Sequence, residues 1–166
     1  MNLISYKTFV QWEEHKLEHV DSLLIPPLYN SVSYPDYNLD VSNEYIYISV
    51  GSTEYQFDRL LKMVEANFSG TNIKVVAQTG SCNYVPKSFI CQKFFHKKNH
   101  MKLINNCKFF ITHGGSSNLW DSVNLGVNTI VVPRLSKYGE HIDDHQIFLA
   151  NKYSNEGQVK QVNSRE

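Results

Sequence analysis

Short apolar runs alternate with amphipathic segments along the chain from residue 45 onwards. The runs at residues 45–50 and 73–77 are dominated by β-branched and aromatic residues, which is typical of buried strands. Between them, apolar residues recur at helical spacing, at Phe57, Leu60, Leu61, Val64 and Phe68. The alternation predicts further strands at residues 89–95, 109–112, 129–132 and 158–162, with helices at residues 99–105, 118–125 and 143–153.

Alternating strands and helices indicate a parallel sheet, because parallel strands need long crossover connections. Strands that are apolar along most of their length indicate a sheet that is buried on both faces. We therefore predict an α/β fold over residues 45–166, a Rossmann-like parallel sheet with helices on both faces.

The first 44 residues follow a different pattern. Val10, Leu17, Val20 and Leu24 fall near helical spacing, and two prolines at 26 and 27 end that pattern. Residues 26–44 are rich in Pro, Tyr, Asn, Ser and Asp, which is typical of a loop or linker. The sequence therefore predicts an N-terminal arm over residues 1–44, a helix followed by a linker, before the compact domain.

The chain of 166 residues has a formal net charge of zero, but its charges are unevenly distributed. Residues 66–120 carry seven lysines and no acid, whereas residues 1–65 carry four basic and ten acidic side chains. The lysine-rich stretch is either a surface for phosphates or anionic lipid, or a set of scattered solvated charges. His96 and His100 lie within it and are expected to be exposed. Since no nucleic-acid module is recognisable, no nucleic-acid partner is expected.

The sequence indicates neither a membrane-spanning helix nor a signal peptide. No apolar run approaches the ~20 residues that a bilayer requires, and acidic residues interrupt the first 25 residues. The spacings of Cys82, Cys91 and Cys107 match no zinc motif, so these residues are expected to be reduced thiols. These features predict a cytoplasmic protein whose membrane contact is peripheral or runs through a partner.

The junction after the strand at residues 109–112 combines two glycines with two hydroxyl residues, in the order His113, Gly114, Gly115, Ser116, Ser117. Glycines let the backbone approach a ligand, and a helix N-terminus presents unpaired N–H groups with partial positive charge. The junction is therefore either a phosphate or diphosphate site or simply a tight connection. It is neither a P-loop nor a Gly-x-Gly-x-x-Gly turn. Asp121 is either a ligand for ribose hydroxyls or a solvated acid that complements the helix dipole.

The segment at residues 133–146 is dense in polar side chains and again follows a predicted strand. Three interpretations stay open: a sugar-binding loop, a metal site formed by His141 and His145 with Asp144 nearby, and an N-capped surface helix. Because the sequence supplies no third well-spaced ligand, we predict no metal site.

Several short motifs between residues 45 and 157 stand out as a set. They are the Gly-Ser-Thr turn after the first strand, Phe57-Asp58-Arg59-Leu60, Ala77-Gln78-Thr79-Gly80, Thr112-His113-Gly114-Gly115, Val131-Val132-Pro133-Arg134 and the run from Lys137 to Gln146. Together they resemble the C-terminal domain of family 28 glycosyltransferases. The resemblance is closest to the small two-component members, which are bacterial capsule and exopolysaccharide subunits and the catalytic subunit of the eukaryotic N-acetylglucosaminyltransferase that extends lipid-linked chitobiose.

The resemblance implies the half of a GT-B enzyme that binds a UDP-sugar, without an obligatory metal or other cofactor. It implies that the glycine turn and the helix start hold the diphosphate, and that the helix acid bonds the ribose. Uracil is expected near residues 94–96, and the cleft facing the acceptor half is expected to be lined by Gly51, Ser52 and Thr53. The residues implied to bind the UDP-sugar are Gly114, Gly115, Ser116, Ser117, Asp121, Glu140, His141, Asp144 and Gln146.

The implied reaction transfers a hexose from a UDP-sugar to a lipid-linked acceptor in polysaccharide or glycan biosynthesis. The length of one domain implies that a membrane-anchored partner subunit supplies the acceptor half and the general base, at the cytoplasmic face of a membrane. His113 is a candidate base, although its place at a strand end favours a structural role. Two alternatives stay open: a non-catalytic accessory subunit that stabilises a partner transferase, and a sugar-nucleotide epimerase, whose usual length is about twice this one.

Three features depart from the family pattern. The helix acid is usually Glu, and here it is the shorter Asp121. Ser116 and Ser117 stand where the turn often carries Ala or Gly, which narrows the expected pocket. The chain ends at Glu166, before a further strand and helix that family members usually have.

Overall fold

A computed structural model of the protein describes residues 8–10, 22–24 and 44–162. The chain divides into two compact units, Met1–Ser31 and Val32–Glu166. In the first unit, the short strands β1 (Thr8–Val10) and β2 (Ser22–Leu24) pair in parallel.

The helix predicted for the N-terminal arm is wrong at the described residues. Val10 and Leu24, two of the four apolar positions that predicted it, lie in β1 and β2. The sequence of β1 is β-branched and aromatic, and pairing with a second strand overrides the helical spacing of its apolar residues. The rest of the predicted arm, apart from Glu44, lies outside the described residues, so its boundary stays a prediction.

Six parallel strands form the sheet of the second unit, as the sequence predicts. They are β3 (Tyr45–Ser49), β4 (Lys74–Gln78), β5 (Ile90–Gln92), β6 (Phe109–Thr112), β7 (Thr129–Val131) and β8 (Lys160–Gln161). Their order across the sheet is β5-β4-β3-β6-β7-β8, and every neighbouring pair is parallel. The unit is therefore α/β and Rossmann-like.

The described part of this unit also contains four α-helices and one short 3-10 helix. They are α1 (Asp58–Phe68), α2 (Lys97–Asn106), α3 (Ser116–Asn124), α4 (His145–Asn155) and the 3-10 helix Ser136–Tyr138. The four predicted helices are all present, with ends displaced by one or two residues. None of these helices is long and apolar enough to cross a bilayer.

The central strand β3 shows how the sheet is covered on both faces. Successive residues of a strand point to opposite faces. Ile46 and Ile48 accordingly belong to a hydrophobic cluster that contains Leu60 of α1, whereas Tyr47 belongs to a second cluster that contains Leu103 of α2. Helices thus bury both faces of the sheet, which confirms the predicted architecture.

The carboxyl ends of β3 and β6 lie side by side at the centre of the sheet. Ser49, the last residue of β3, pairs with Thr112, the last residue of β6. The chain runs from β3 to β4 on one side, and β6 lies on the other, so the crevice between β3 and β6 is the topological switch point. Ligands of open parallel sheets bind at such crevices.

Candidate functional site

Two glycine turns face each other across the switch point, with the ring of His113 between them. Gly51 follows β3 with a φ of 86°, a left-handed conformation that glycine adopts without strain. A Cβ atom at Gly51 would lie 2.5 Å from Cε1 of His113, and one at Gly115 would lie 2.2 Å from Nε2 of His113. Both distances are far shorter than van der Waals contact, so both turns need glycine to accommodate the imidazole.

This packing sets the expected result of substituting Gly115. From the sequence alone, Gly115→Val is expected to abolish nucleotide binding and leave the fold intact, but in the structure the new side chain must displace the His113 ring. We expect Gly115→Val to lower the free energy of unfolding by about 1–3 kcal/mol, the range for overpacked cores, as measured by urea denaturation. In a His113→Ala background, Gly115→Val should lower the free energy of unfolding by a smaller amount. An equal cost in both backgrounds would contradict the steric explanation.

A chain of hydrogen bonds runs beneath the glycine turns. The amide nitrogen of Asn118 donates to Thr112 Oγ1 at 2.8 Å and to Ser49 Oγ at 3.1 Å. The amide oxygen of Asn118 can only accept, so Nε2 of His100, at 3.2 Å, carries a proton. Nδ1 of His100 then accepts from the Tyr47 hydroxyl at 2.7 Å. A buried polar network in which each group is paired holds its members in one arrangement.

The same network places the proton of His113 on Nδ1. Thr112 Oγ1 donates to the backbone oxygen of Ser49 at 2.9 Å and lies 3.3 Å from Nδ1 of His113. Since the single hydroxyl proton is used toward Ser49, Thr112 accepts from Nδ1, and Nε2 is left as an acceptor beside Gly115. Burial, with a smaller contribution from the Arg134 charge, lowers the pKa of His113 to about 3. The ring is therefore neutral near pH 7.

So low a pKa makes His113 a poor general base, because the best pKa for that role lies near the operating pH. The ring is buried and fills the space between the two glycine turns. The geometry therefore favours the structural role for His113 over the role of a catalytic base.

The expectation that His96 and His100 are exposed is wrong, because both are half-buried. The environment of His100 shows why. Its ring packs against Tyr47 and Phe110, with centroid separations of 5.5 and 6.4 Å. Burial lowers its pKa to about 4. The sequence did contain the signal, because His100 precedes the buried residues Leu103 and Ile104 by three and four positions and so shares their face of α2.

The first turn of α3 offers backbone N–H groups at the switch point. Gly115 is the N-cap and makes no side-chain capping hydrogen bond, and Ser116 and Ser117 are half-buried. The first N–H groups of a helix have no partner within the helix and carry partial positive charge, which suits an anion. The Gly114 amide differs, because it donates to Oε1 of Gln146 at 3.1 Å. The Gly114 N–H is thus engaged within the protein, and its contact with a diphosphate stays a prediction.

Arg134, for which the sequence predicted no role, is completely buried. Its guanidinium lies 4.8 Å from the centre of the Phe57 ring. It donates at 2.7–3.0 Å to four backbone carbonyl oxygens, those of Val50, Tyr55, Gln56 and Glu140. These bonds tie the segment after β3 to the loop at residues 133–146.

Glu140 orders the same loop and is only 1% exposed. Arg59 donates to its two carboxylate oxygens from Nε and Nη2, each at 2.8 Å. The backbone N–H of Leu135 donates to one of them at 2.9 Å. Both oxygens are engaged within the protein, and the contact of Glu140 with the donor sugar stays a prediction.

Gln146 connects two turns rather than facing an open cleft. Its side chain is buried, and Oε1 accepts from the N–H groups of Gly114 and Arg134 at 3.1 and 3.2 Å. Asp144 is exposed and accepts from the N–H of Ser136 at 2.7 Å, so its carboxylate holds the 3-10 helix to the start of α4. Both residues stabilise the loop, and their contacts with a sugar stay predictions.

The other predicted site residues occupy varied positions. Ser52 is exposed and Thr53 is half-buried in the turn after β3. His141 is half-buried, with its ring 5.4 Å from that of Tyr55. Asp121 is only 7% exposed in α3, so the alternative of a solvated acid is wrong. The contact of Asp121 with ribose and the cleft-lining role of Ser52 and Thr53 stay predictions.

The segment at residues 94–96, where uracil is expected, is held next to the switch point. The N–H of Phe95 donates to Oε1 of Gln78 at 3.2 Å, and Nε2 of Gln78 donates to the Gly51 oxygen at 3.3 Å. Gln78 ends β4, so one side chain links three strand-end segments. The contact of this segment with uracil stays a prediction.

Residues 45–164 match the family described as the glycosyltransferase family 28 C-terminal domain. The chain belongs to this family. The match covers the six-stranded sheet, the glycine turns and the 133–146 loop. No curated protein matches the chain.

Solved glycosyltransferases share the fold of this family 28 chain. The glycosyltransferase of kitacinnamycin is 17% identical, with a TM-score of 0.59 over 91% of this chain. SnogD from Streptomyces nogalater is 16% identical, with a TM-score of 0.60 over 91% of this chain, and MurG from Acinetobacter baumannii is 16% identical, with a TM-score of 0.51 over 76%. The chain spans 38%, 40% and 38% of these three proteins. At this identity the likeness shows the fold, which is the C-terminal half of a GT-B glycosyltransferase.

Proposed function

We propose that the protein is the donor-binding subunit of a two-component glycosyltransferase that transfers a hexose from a UDP-sugar to a lipid-linked acceptor. The observation that carries the proposal is the first turn of α3, with the N–H groups and hydroxyls of Ser116 and Ser117 at the switch point. Membership of family 28 supports glycosyl transfer. The resemblance to the small two-component members supports the division into two subunits.

In the proposed reaction, negative charge grows on the β-phosphate of UDP as the bond to the sugar breaks. The fixed N–H dipoles of α3 stabilise that charge without a metal ion or other cofactor. The six-stranded unit corresponds to one half of a GT-B fold. In the proposed enzyme, a membrane-anchored partner subunit supplies the acceptor half and the general base at the cytoplasmic face of a membrane.

A carboxylate in the first turn of α3 tests the proposal. Ser117→Asp complements the helix dipole, so the fold should tolerate it, but its charge repels a diphosphate. The control Ser117→Asn introduces a side chain of nearly the same shape as that of Asp but without its charge. We expect UDP affinity, measured by calorimetry, to fall at least about tenfold for the Asp variant and clearly less for the Asn variant, because a like charge at ~4 Å costs about 1–4 kcal/mol. UDP affinity that is unchanged in Ser117→Asp would contradict the diphosphate site.

A non-catalytic accessory subunit is the second candidate, because part of the expected donor site is occupied. Gln146 accepts from the Gly114 amide, and Arg59 engages the Glu140 carboxylate. An accessory subunit that has lost donor binding would show no saturable UDP binding in the same titration. If the chain alone transferred sugar to a lipid acceptor, the two-component part of the proposal would be wrong.

A further inference from the structure

We propose that His141, Asp143 and His145 form a binding site for a divalent transition-metal ion, for which Zn²⁺ is the best fit. One ligand atom from each of these residues lies within 4.8 Å of the other two. The site goes beyond the proposed sugar transfer, which needs no metal. Its carboxylate is that of Asp143, whereas the metal site considered from the sequence had Asp144 near the two histidines.

The separations between the ligand atoms suit a tetrahedral ion. Bonds of about 2.0–2.2 Å to nitrogen and oxygen place neighbouring ligand atoms roughly 3.3 Å apart. Nδ1 of His141 lies 3.4 Å from Oδ1 of Asp143, which needs no adjustment. Nδ1 of His145 contacts the same oxygen more closely. Because Asp143 and His145 are 56% and 48% exposed, their side chains can open to admit an ion.

An unsatisfied buried nitrogen points to a ligand at this place. Within the described part of the chain, Nδ1 of His141 is buried and has no hydrogen-bond partner. A buried polar atom without a partner is costly, and a metal ion would provide the missing interaction. The His141 ring is also held in place, because it packs against Tyr55 at 5.4 Å and edge-on against His145 at 4.6 Å.

The set of donors determines which ion fits. Two imidazoles and one carboxylate favour Zn²⁺ and related transition metals, whereas Mg²⁺ and Ca²⁺ prefer ligands that are all oxygen. Three protein ligands leave a coordination position for water or another ligand. Asp144 is engaged by the Ser136 N–H and does not belong to the donor set.

A matched pair of neutralising substitutions tests the site. In calorimetric titrations of the full chain with Zn²⁺, we expect Asp143→Asn to weaken binding at least about tenfold, since even loss of a supporting outer residue costs 10–100-fold. Asp144→Asn makes the same change of charge at the adjacent position and retains an oxygen for Ser136, so its affinity should match that of the wild-type protein. His145→Ala should also lose binding, while circular dichroism shows that each variant remains folded.

Two other pairs of histidines must be distinguished from this site. His96 and His100 are also four positions apart, and so are His15 and His19, which lie outside the described residues. Zn²⁺ bound there would be unaffected by Asp143→Asn and His145→Ala. That result, or the absence of saturable Zn²⁺ binding to the wild-type chain, would overturn the proposal. Neither result bears on UDP binding, which the Ser117 variants test separately.

Discussion

Arg134→Met should lower the free energy of unfolding by about 3–5 kcal/mol, the range for removing one partner from a buried charged network. Methionine retains an unbranched apolar chain but provides no N–H donor. The substitution therefore leaves four carbonyl oxygens without their donors, those of Val50, Tyr55, Gln56 and Glu140. Because these oxygens belong to segments on both sides of Arg134, the loss should also loosen the 133–146 loop against the turn after β3.

Two control variants separate the effect of charge from that of geometry. Urea denaturation measures the free energy of unfolding of all three variants. Arg134→Lys retains the charge, but its single ammonium cannot reproduce the planar set of donors, so it should recover only part of the stability. Lys102→Met removes a charge from the exposed face of α2 and should change the free energy of unfolding by no more than about 0.5 kcal/mol. If Arg134→Met and Lys102→Met unfold at the same urea concentration, Arg134 does not hold the loop.

Lowering the pH from 7 towards 4 should destabilise the protein through His113, which is buried, and His100, which is half-buried. Burial lowers the pKa of His100 to about 4 and that of His113 to about 3, whereas an unfolded histidine titrates near 6.5. Between these values the unfolded chain binds more protons than the folded protein, so the free energy of unfolding falls as the pH falls. Since one pKa unit corresponds to about 1.4 kcal/mol, His100 alone accounts for about 3 kcal/mol by pH 4.

His100→Gln isolates this contribution, because glutamine does not titrate. The variant should be less stable than the wild-type protein at pH 7, since it loses the ring contacts with Tyr47 and Phe110. At pH 4.5 the difference in the free energy of unfolding should shrink by about 2 kcal/mol. Only in the wild-type protein does unfolding allow residue 100 to bind a proton, and this stabilises the unfolded chain. Carboxylates titrate in both proteins and cancel in the comparison. A difference that is the same at both pH values would rule out a lowered pKa for His100.

The sheet and the position of the glycine turns could be predicted because both follow from local patterns. Apolar runs of about five residues indicate a parallel sheet when they alternate with segments whose apolar residues recur at helical spacing. A strand followed by Gly114 and Gly115 and then by hydroxyl residues places a helix N-terminus at the carboxyl edge of that sheet. The structure has α3 there, two residues longer at its start than the pattern predicts.

The pattern failed in the N-terminal arm, where apolar spacing near that of a helix occurs in residues that pair as β1 and β2. Short segments of this kind take their structure from the strand beside them, which their own periodicity does not reveal. His100 is a different case, because the helical spacing was present and the surrounding lysines masked it. Its partners Tyr47 and Asn118 lie 53 and 18 residues away in the chain.

The details of the site required the fold because they depend on which side chains meet. Whether the Gly114 amide is open to a ligand depends on Gln146, 32 residues away. The engagement of Glu140 depends on Arg59, 81 residues away. In the 133–146 loop, Asp143 lies with the two histidines, whereas the Asp144 carboxylate accepts from the Ser136 N–H.

The sequence by itself determined the α/β class and the glycine turn before a helix, and its short motifs carried the resemblance to the family. The first two properties depend on residue types a few positions apart, which act through periodicity and turn chemistry. Only the tertiary structure decided that His113 fills the switch point, that Arg134 joins two loops, and that Gln146 occupies the Gly114 amide. The reason is that strand order and register determine which distant side chains meet, and burial then determines their protonation and hydrogen bonds.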